Sequence, residues 1–175
     1  AGVGLCSEFA RCMAASAPEC TIGLVPCALG GTSLDQWKPG SDLYTNAVAR
    51  MRIALKNGHL AGILWHQGEA DSAEAKVATY PVRFAAMIES LRKDLDAKDV
   101  PVMVGELGHF RSSSAPFNAM LPNVSATVPA CAIISAADLG HGGDKLHFSA
   151  DALRLFGKRY FDAFQRLTQR VRQNQ

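Results

Sequence analysis

The sequence predicts an α/β fold, a parallel β-sheet covered by helices on both faces. Three observations carry that expectation. Four short apolar runs rich in β-branched residues lack the polar alternation of a half-exposed sheet. Stretches of helical period separate them. A polar or Gly-rich loop follows each run.

The elements follow in chain order. Leu5, Phe9, Met13 and Ser16 mark one face of an opening helix, and no strand precedes it. A βαβ order wants a strand there, so the expectation is of a longer protein whose first strand lies upstream of Ala1. The first apolar run is TIGLVPCAL, 21–29. Tyr44, Ala47, Val48, Met51 and Leu55 form the next helical stripe, with Ser41 placed to cap it. GILWH, 62–66, is the second run. Phe84, Ile88, Leu91 and Leu95 form another stripe, with Pro81 expected near that helix's first turn. VPVMVGEL, 100–107, leads into a shorter helix over 117–124. CAIISA, 131–136, precedes the clearest amphipathic pattern of all: Leu153, Phe156, Tyr160, Phe164, Leu167 and Val171 behind Ser149.

Composition sets the outer bounds. The 175 residues suffice for one domain with its own core, taken here as 1–175. Hydrophobic residues make up 48% and charged residues 19%, the balance of a folded chain rather than a disordered one. A net charge of +2 gives no electrostatic footprint for nucleic acid. No apolar run is long enough to span a bilayer. The five cysteines, Cys6, Cys12, Cys20, Cys27 and Cys131, read as small buried hydrophobes, with one disulfide from Cys20 left open.

Open α/β sheets bind ligands beyond the carboxyl ends of their strands, so the loops there are where chemistry is sought. They read GGTSLDQW (30–37), QGEAD (67–71), GHFRSSS (108–114) and DLGHGGDKLH (138–147). His147 is suited to general-base work, with Asp144 three residues earlier to hold its tautomer. The same pair is also suited to capping the last helix. Gly30 and Gly31 permit a backbone whose N–H groups face a developing oxyanion, or a plain tight turn. Gln67 is placed either to donate its amide to that oxyanion or to tie two loops together. Glu69 and Asp71 read as braces. Trp37 and Phe110 are candidates for a pocket wall, whereas Trp65 lies within a strand pattern and reads as core. Asp138, His141, Asp144 and His147 cluster in sequence, but their spacing matches no metal-binding pattern.

Three blocks, GLVPCALGGTSLDQW, GILWHQGEADS and DKLHFSADALRLFGKRYFDAF, resemble the SGNH-hydrolase superfamily, in its carbohydrate esterase family 6 and sialate O-acetylesterase-like branch. The resemblance implies a flavodoxin-like three-layer α/β/α sandwich with parallel strand order 2-1-3-4-5. It implies removal of acetyl groups from O-acetylated carbohydrate, of acetylxylan or sialate type, through an acyl-enzyme and without metal or cofactor. His147 and Asp144 match the family's D-x-x-H base and orienting acid. Gly31, with Gly30 beside it, matches the oxyanion glycine block, and Gln67 the branch's oxyanion glutamine. Glu69, Trp37 and Phe110 remain as substrate contacts. The resemblance leans toward a secreted protein.

One part is missing. The family's nucleophile sits in a Gly-Gln-Ser-Asn-like turn after its first strand, and neither that motif nor Gly-Asp-Ser occurs here. The nucleophilic serine is therefore expected upstream of Ala1, with Ser33 the weaker internal substitute. A non-catalytic carbohydrate-binding or interaction domain on an esterase scaffold is the alternative. A phospholipase or thioesterase of the same superfamily is disfavoured by the Q-G-E and G-G-T-S-L blocks.

Overall fold

A computed structural model describes residues 4–173, without the side chains of 170–173. Among the described residues there are five α-helices and three strands. They are α1 (Leu5–Ser16), α2 (Asp42–Ala54), β1 (Ile63–Trp65), α3 (Glu74–Asp94), β2 (Val102–Gly105), α4 (Ala115–Thr127), β3 (Cys131–Ile134) and α5 (Ala150–Gln173), and from α2 onward helix and strand alternate. The strands are all parallel in the order β1-β2-β3, with Ile63 beside Val102 and Val102 beside Cys131.

The period-2 geometry of a strand sends successive side chains to opposite faces, and here each face meets its own helices. Ile63, Trp65, Val102, Val104, Cys131 and Ile133 pack with α2, α3 and α4. Leu64, Met103, Ala132 and Ile134 pack with α1 and α5. This is the three-layer α/β/α arrangement, and it explains why the strands read as unbroken apolar runs.

Three expectations need correction. Residues 21–29 form no strand: they have no ladder partner among the described residues, and Leu24 and Leu29 are 45% and 56% exposed. A strand exists only through a neighbour, and among the described residues β1 is bonded on one side, to β2. The segment is held instead by Cys27 packing on the core and by Arg50 donating to the Pro26 carbonyl. Pro81 lies inside α3 rather than in its first turn, where it leaves the Val77 carbonyl without its helical donor. Ser41 occupies the α2 cap position, but its hydroxyl donates to the Gln36 carbonyl at 2.7 Å. Ser149 does cap α5, accepting from the Ala152 N–H at 3.2 Å. All five cysteines are free, Cys20 included.

The α1–α5 contact is made close by a glycine. A Cβ built on Gly157 would stand 2.4 Å from the Leu5 carbonyl oxygen and 2.8 Å from Glu8 Cβ. Gly157→Ala should therefore push the helices apart and cost about 1–3 kcal/mol, as overpacking does. Urea denaturation checks this; a midpoint equal to that of the unchanged chain would contradict the packing described.

Candidate active site

β1, β2 and β3 all end at one edge of the sheet, where they deliver His66 and Gln67, Glu106, and Ser135. The β1 end is pinned from α5, whose Tyr160 hydroxyl donates to the Trp65 carbonyl at 2.8 Å. Burial raises the Tyr160 phenol well above its ordinary pKa, so it remains a donor. The fourth loop, 30–37, has no strand to bring it to this edge and is carried there by hydrogen bonds.

Asp71 is the anchor of that loop. Its side chain is fully buried, and Oδ2 accepts from the Leu34 N–H at 2.7 Å and from Gln67 Nε2 at 2.8 Å. Oδ1 faces Arg83 at 3.3 Å, and Arg83 also pairs with Asp35 at 2.8 Å. Gln67 Nε2 donates in addition to the Thr32 carbonyl at 3.0 Å, while its Oε1 accepts from the Tyr80 hydroxyl at 2.9 Å. That hydroxyl in turn accepts from Trp65 Nε1 at 3.1 Å. Every member of the chain has a partner, as a buried polar network requires.

This network reassigns two residues. Both amide hydrogens of Gln67 are taken, by Thr32 and Asp71, so in this arrangement none is left for an oxyanion. Of the two roles open to it, tying the loops together is the one the geometry supports. Trp37 is not a pocket wall: it is 8% exposed, packs edge-on against Trp65 with ring centroids 5.5 Å apart, and donates Nε1–H to Thr32 Oγ1 at 3.0 Å. A satisfied indole N–H removes the usual cost of burying a tryptophan.

Gly30 and Gly31 remain exposed, and their backbone N–H groups have no acceptor among the described residues. Gly31 sits at φ +75° with open space where a Cβ would go, so the backbone conformation calls for glycine rather than crowding. Ser33 directs its backbone N–H to Gln36 Oε1 at 2.9 Å, and its hydroxyl makes a longer contact to the same oxygen at 3.5 Å. Among the described residues it makes no hydrogen bond to a histidine.

Asp144 and His147 come together in the loop before α5. His147 Nδ1 lies 2.6 Å from Asp144 Oδ2, while Asp144 Oδ1 accepts the backbone N–H groups of Leu146 and His147, each at 2.9 Å. The His147 backbone N–H, then its ring, then the Leu146 N–H hold the Asp144 carboxyl well below the usual carboxylate range. The stability this carboxylate contributes is present above its unfolded pKa and is lost only as pH falls through the lowered value. The His147 ring is 77% exposed, and Nε2 has no partner among the described residues. Asp138 and His141 do not join this pair: among the described residues no three metal-ligating side chains converge.

Loop-to-loop contacts complete the edge. The His66 ring packs against Phe148 and Phe156 at 5.7 and 5.6 Å, and burial there lowers its pKa. Phe110 packs against His141 and Phe148 at 5.4 and 5.2 Å. Glu106 Oε2 receives His109 Nε2 at 2.8 Å, the Ser135 hydroxyl at 3.1 Å and the Ala136 N–H at 2.9 Å. Beside that carboxylate opens a cavity of about 330 Å³ lined by Glu106, His109, Arg111, Ser112 and Asn118. Phe110 is half-buried beside the dyad loop, and Glu69 is exposed.

A carboxylate–imidazole pair and a glycine turn with free N–H groups, on loops at one sheet edge, is a set seen in acyl-transfer enzymes. The family model for the sialic acid-specific acetylesterase family of carbohydrate esterases matches residues 1–166. The chain belongs to that family. A probable carbohydrate esterase of Arabidopsis thaliana is 39% identical over 84 residues, 47% of this chain and 32% of that protein. The chain thus matches about a third of the length of that curated relative. A solved structure of an Arabidopsis thaliana protein aligns with a TM-score of 0.85 at 27% identity, over 94% of this chain and 68% of that one. A carbohydrate acetylesterase from Xanthomonas citri shares the fold, with a TM-score of 0.71 at 24% identity over 91% of this chain and 40% of that one.

The sequence reads Asp71 as a brace, and it is one; what the sequence does not show is its reach, because its partners are 37 residues away at Leu34 and 12 at Arg83. Its one visible signal was an acid placed after a strand beside a polar glutamine. Asp71→Ala should cost about 3–5 kcal/mol, the range for removing one partner of a buried ionic cluster. Chemical denaturation measures it, and a loss below about 1 kcal/mol would contradict the anchoring role.

Proposed function

We propose that this chain carries the base, the orienting acid and the oxyanion loop of a serine esterase that removes acetyl groups from O-acetylated carbohydrate. The observation that carries this reading is the 2.6 Å contact between His147 Nδ1 and Asp144, which leaves Nε2 without a partner among the described residues on an exposed ring. Asp144 selects the tautomer with its proton on Nδ1, so that Nε2 is the basic nitrogen.

In this reading a serine from a segment preceding Ala1 gives its hydroxyl proton to His147 Nε2 as its oxygen attacks the acetyl carbonyl. The carbonyl electrons move onto oxygen, where the Gly31 N–H, with Gly30 beside it, stabilises the charge. Collapse of the tetrahedral intermediate expels the sugar alkoxide, which takes the proton back from His147. Water then repeats the sequence on the acyl-enzyme and releases acetate. Gln67 acts here by holding Thr32, and so the glycine turn, in place. Family membership supports the carbohydrate substrate; the exposed Glu69 and half-buried Phe110 are the side chains proposed to meet the sugar. No residue in this scheme requires a metal or cofactor.

The reading is tested in the full-length protein that contains this chain. His147→Ala should lower hydrolysis of 4-nitrophenyl acetate and of acetylated xylan by about 10²–10⁴-fold, the usual contribution of a general base. Turnover unchanged by the substitution would reject the assignment. Saturable sugar binding with no turnover in the unsubstituted protein would favour a binding domain instead.

A further inference from the structure

The segment that presents the dyad is exposed at every residue from Gly142 to His147, so side-chain burial does not hold its shape. Its backbone is also costly: Gly143 and Lys145, the two neighbours of Asp144, sit at φ +109° and +53°. The second of these is a conformation that a lysine adopts only when something fixes it.

We propose that His141 is a positioning residue for the dyad, its Nδ1 serving as the acceptor around which both neighbours of Asp144 turn. Nδ1 accepts the Gly143 N–H at 3.0 Å and the Lys145 N–H, more weakly, at 3.4 Å. Asp144 is thus held from both sides by one imidazole nitrogen. It then gathers the next two N–H groups, of Leu146 and His147, on its own Oδ1. The loop is two nested turns, the first centred on His141 and the second on Asp144.

The feet of the loop fix His141 itself. It pairs with Phe148 in an antiparallel bridge, with Gly142 N–H donating to the His147 carbonyl at 2.9 Å and Ser149 N–H to the Gly140 carbonyl at 3.0 Å. Phe110 lies edge-on to the ring at 66°. An accepting Nδ1 requires the proton on Nε2, so His141 holds the opposite tautomer from the one proposed for His147. His141 touches no reacting atom in this role; it acts through Asp144.

Two substitutions separate the nitrogen from the ring. His141→Asn keeps an acceptor oxygen near the Nδ1 position and loses the ring; His141→Phe keeps a ring against Phe110 and has no acceptor. The readout is the titration of the Asp144 side-chain carboxyl, followed by carbon NMR in the full-length protein. Amide exchange of β2 reports whether each variant is folded. In the Phe variant the Asp144 midpoint should rise by at least about one pH unit, because its backbone donors are no longer presented together. In the Asn variant it should stay low. A midpoint unchanged in the Phe variant, or raised in a folded Asn variant, would overturn the proposal. If the Phe variant does not fold, the Asn variant decides alone. The proposal rests on the dyad of the esterase reading, but this titration reads loop geometry and turnover reads chemistry, so either can fail without the other.

Discussion

The buried carboxylate of Asp71 is the constraint on which the site depends. Three of the four loops at the sheet edge arrive there because a strand delivers them. The glycine loop does not, since residues 21–29 leading into it have no ladder partner among the described residues. Its position comes from the Leu34 N–H and Gln67 bonded to one buried oxygen, with Arg83 on the other. The arrangement is costly to break, because a buried charge deprived of one partner keeps its desolvation penalty and loses its compensation. The glycine turn itself, with open space around it, is held next door at Thr32, which donates to the Leu29 carbonyl and accepts from Trp37 and Gln67.

The opposite side of the edge follows a different rule. The loop from His141 to Phe148 is polar and exposed between two aromatic feet, and small rings of hydrogen bonds set its shape. Phe148 belongs to a chain of aromatic contacts that runs from Phe110 through His66 and Phe156 to Tyr160, which holds the end of β1. The dyad is therefore attached to the sheet through aromatic packing, and the glycine loop through a buried acid. One fold positions the two halves of the proposed site by two different forces.

Much of this was legible in the sequence. Four of the five helices were read from a face whose period is set by the helix itself: the α5 stripe from Leu153 through Phe164 needs only its own residues to be read. The fifth, α4, was expected over 117–124 without such a stripe and spans Ala115–Thr127. The strands at 62–66, 100–107 and 131–136 were found too, although the ladders proved shorter than the apolar runs. TIGLVPCAL was not readable in the same way, because a strand is a relation between two segments and composition describes only one. Trp37 misled for a related reason: its burial depends on Thr32 accepting the indole N–H, a contact across a turn. Gln67 and Asp144 stood in plain view as chemistry-bearing residues, but which hydrogens Gln67 commits, and that His141 stands behind Asp144, are facts of geometry.

The most direct measurement is fluorophosphonate labelling of the full-length protein, mapped to the modified peptide. The account predicts a label on one serine upstream of Ala1, lost on His147→Ala because the nucleophile then lacks its base. A label on a serine within residues 1–175, Ser33 above all, or no label on an esterolytically active protein, would contradict it.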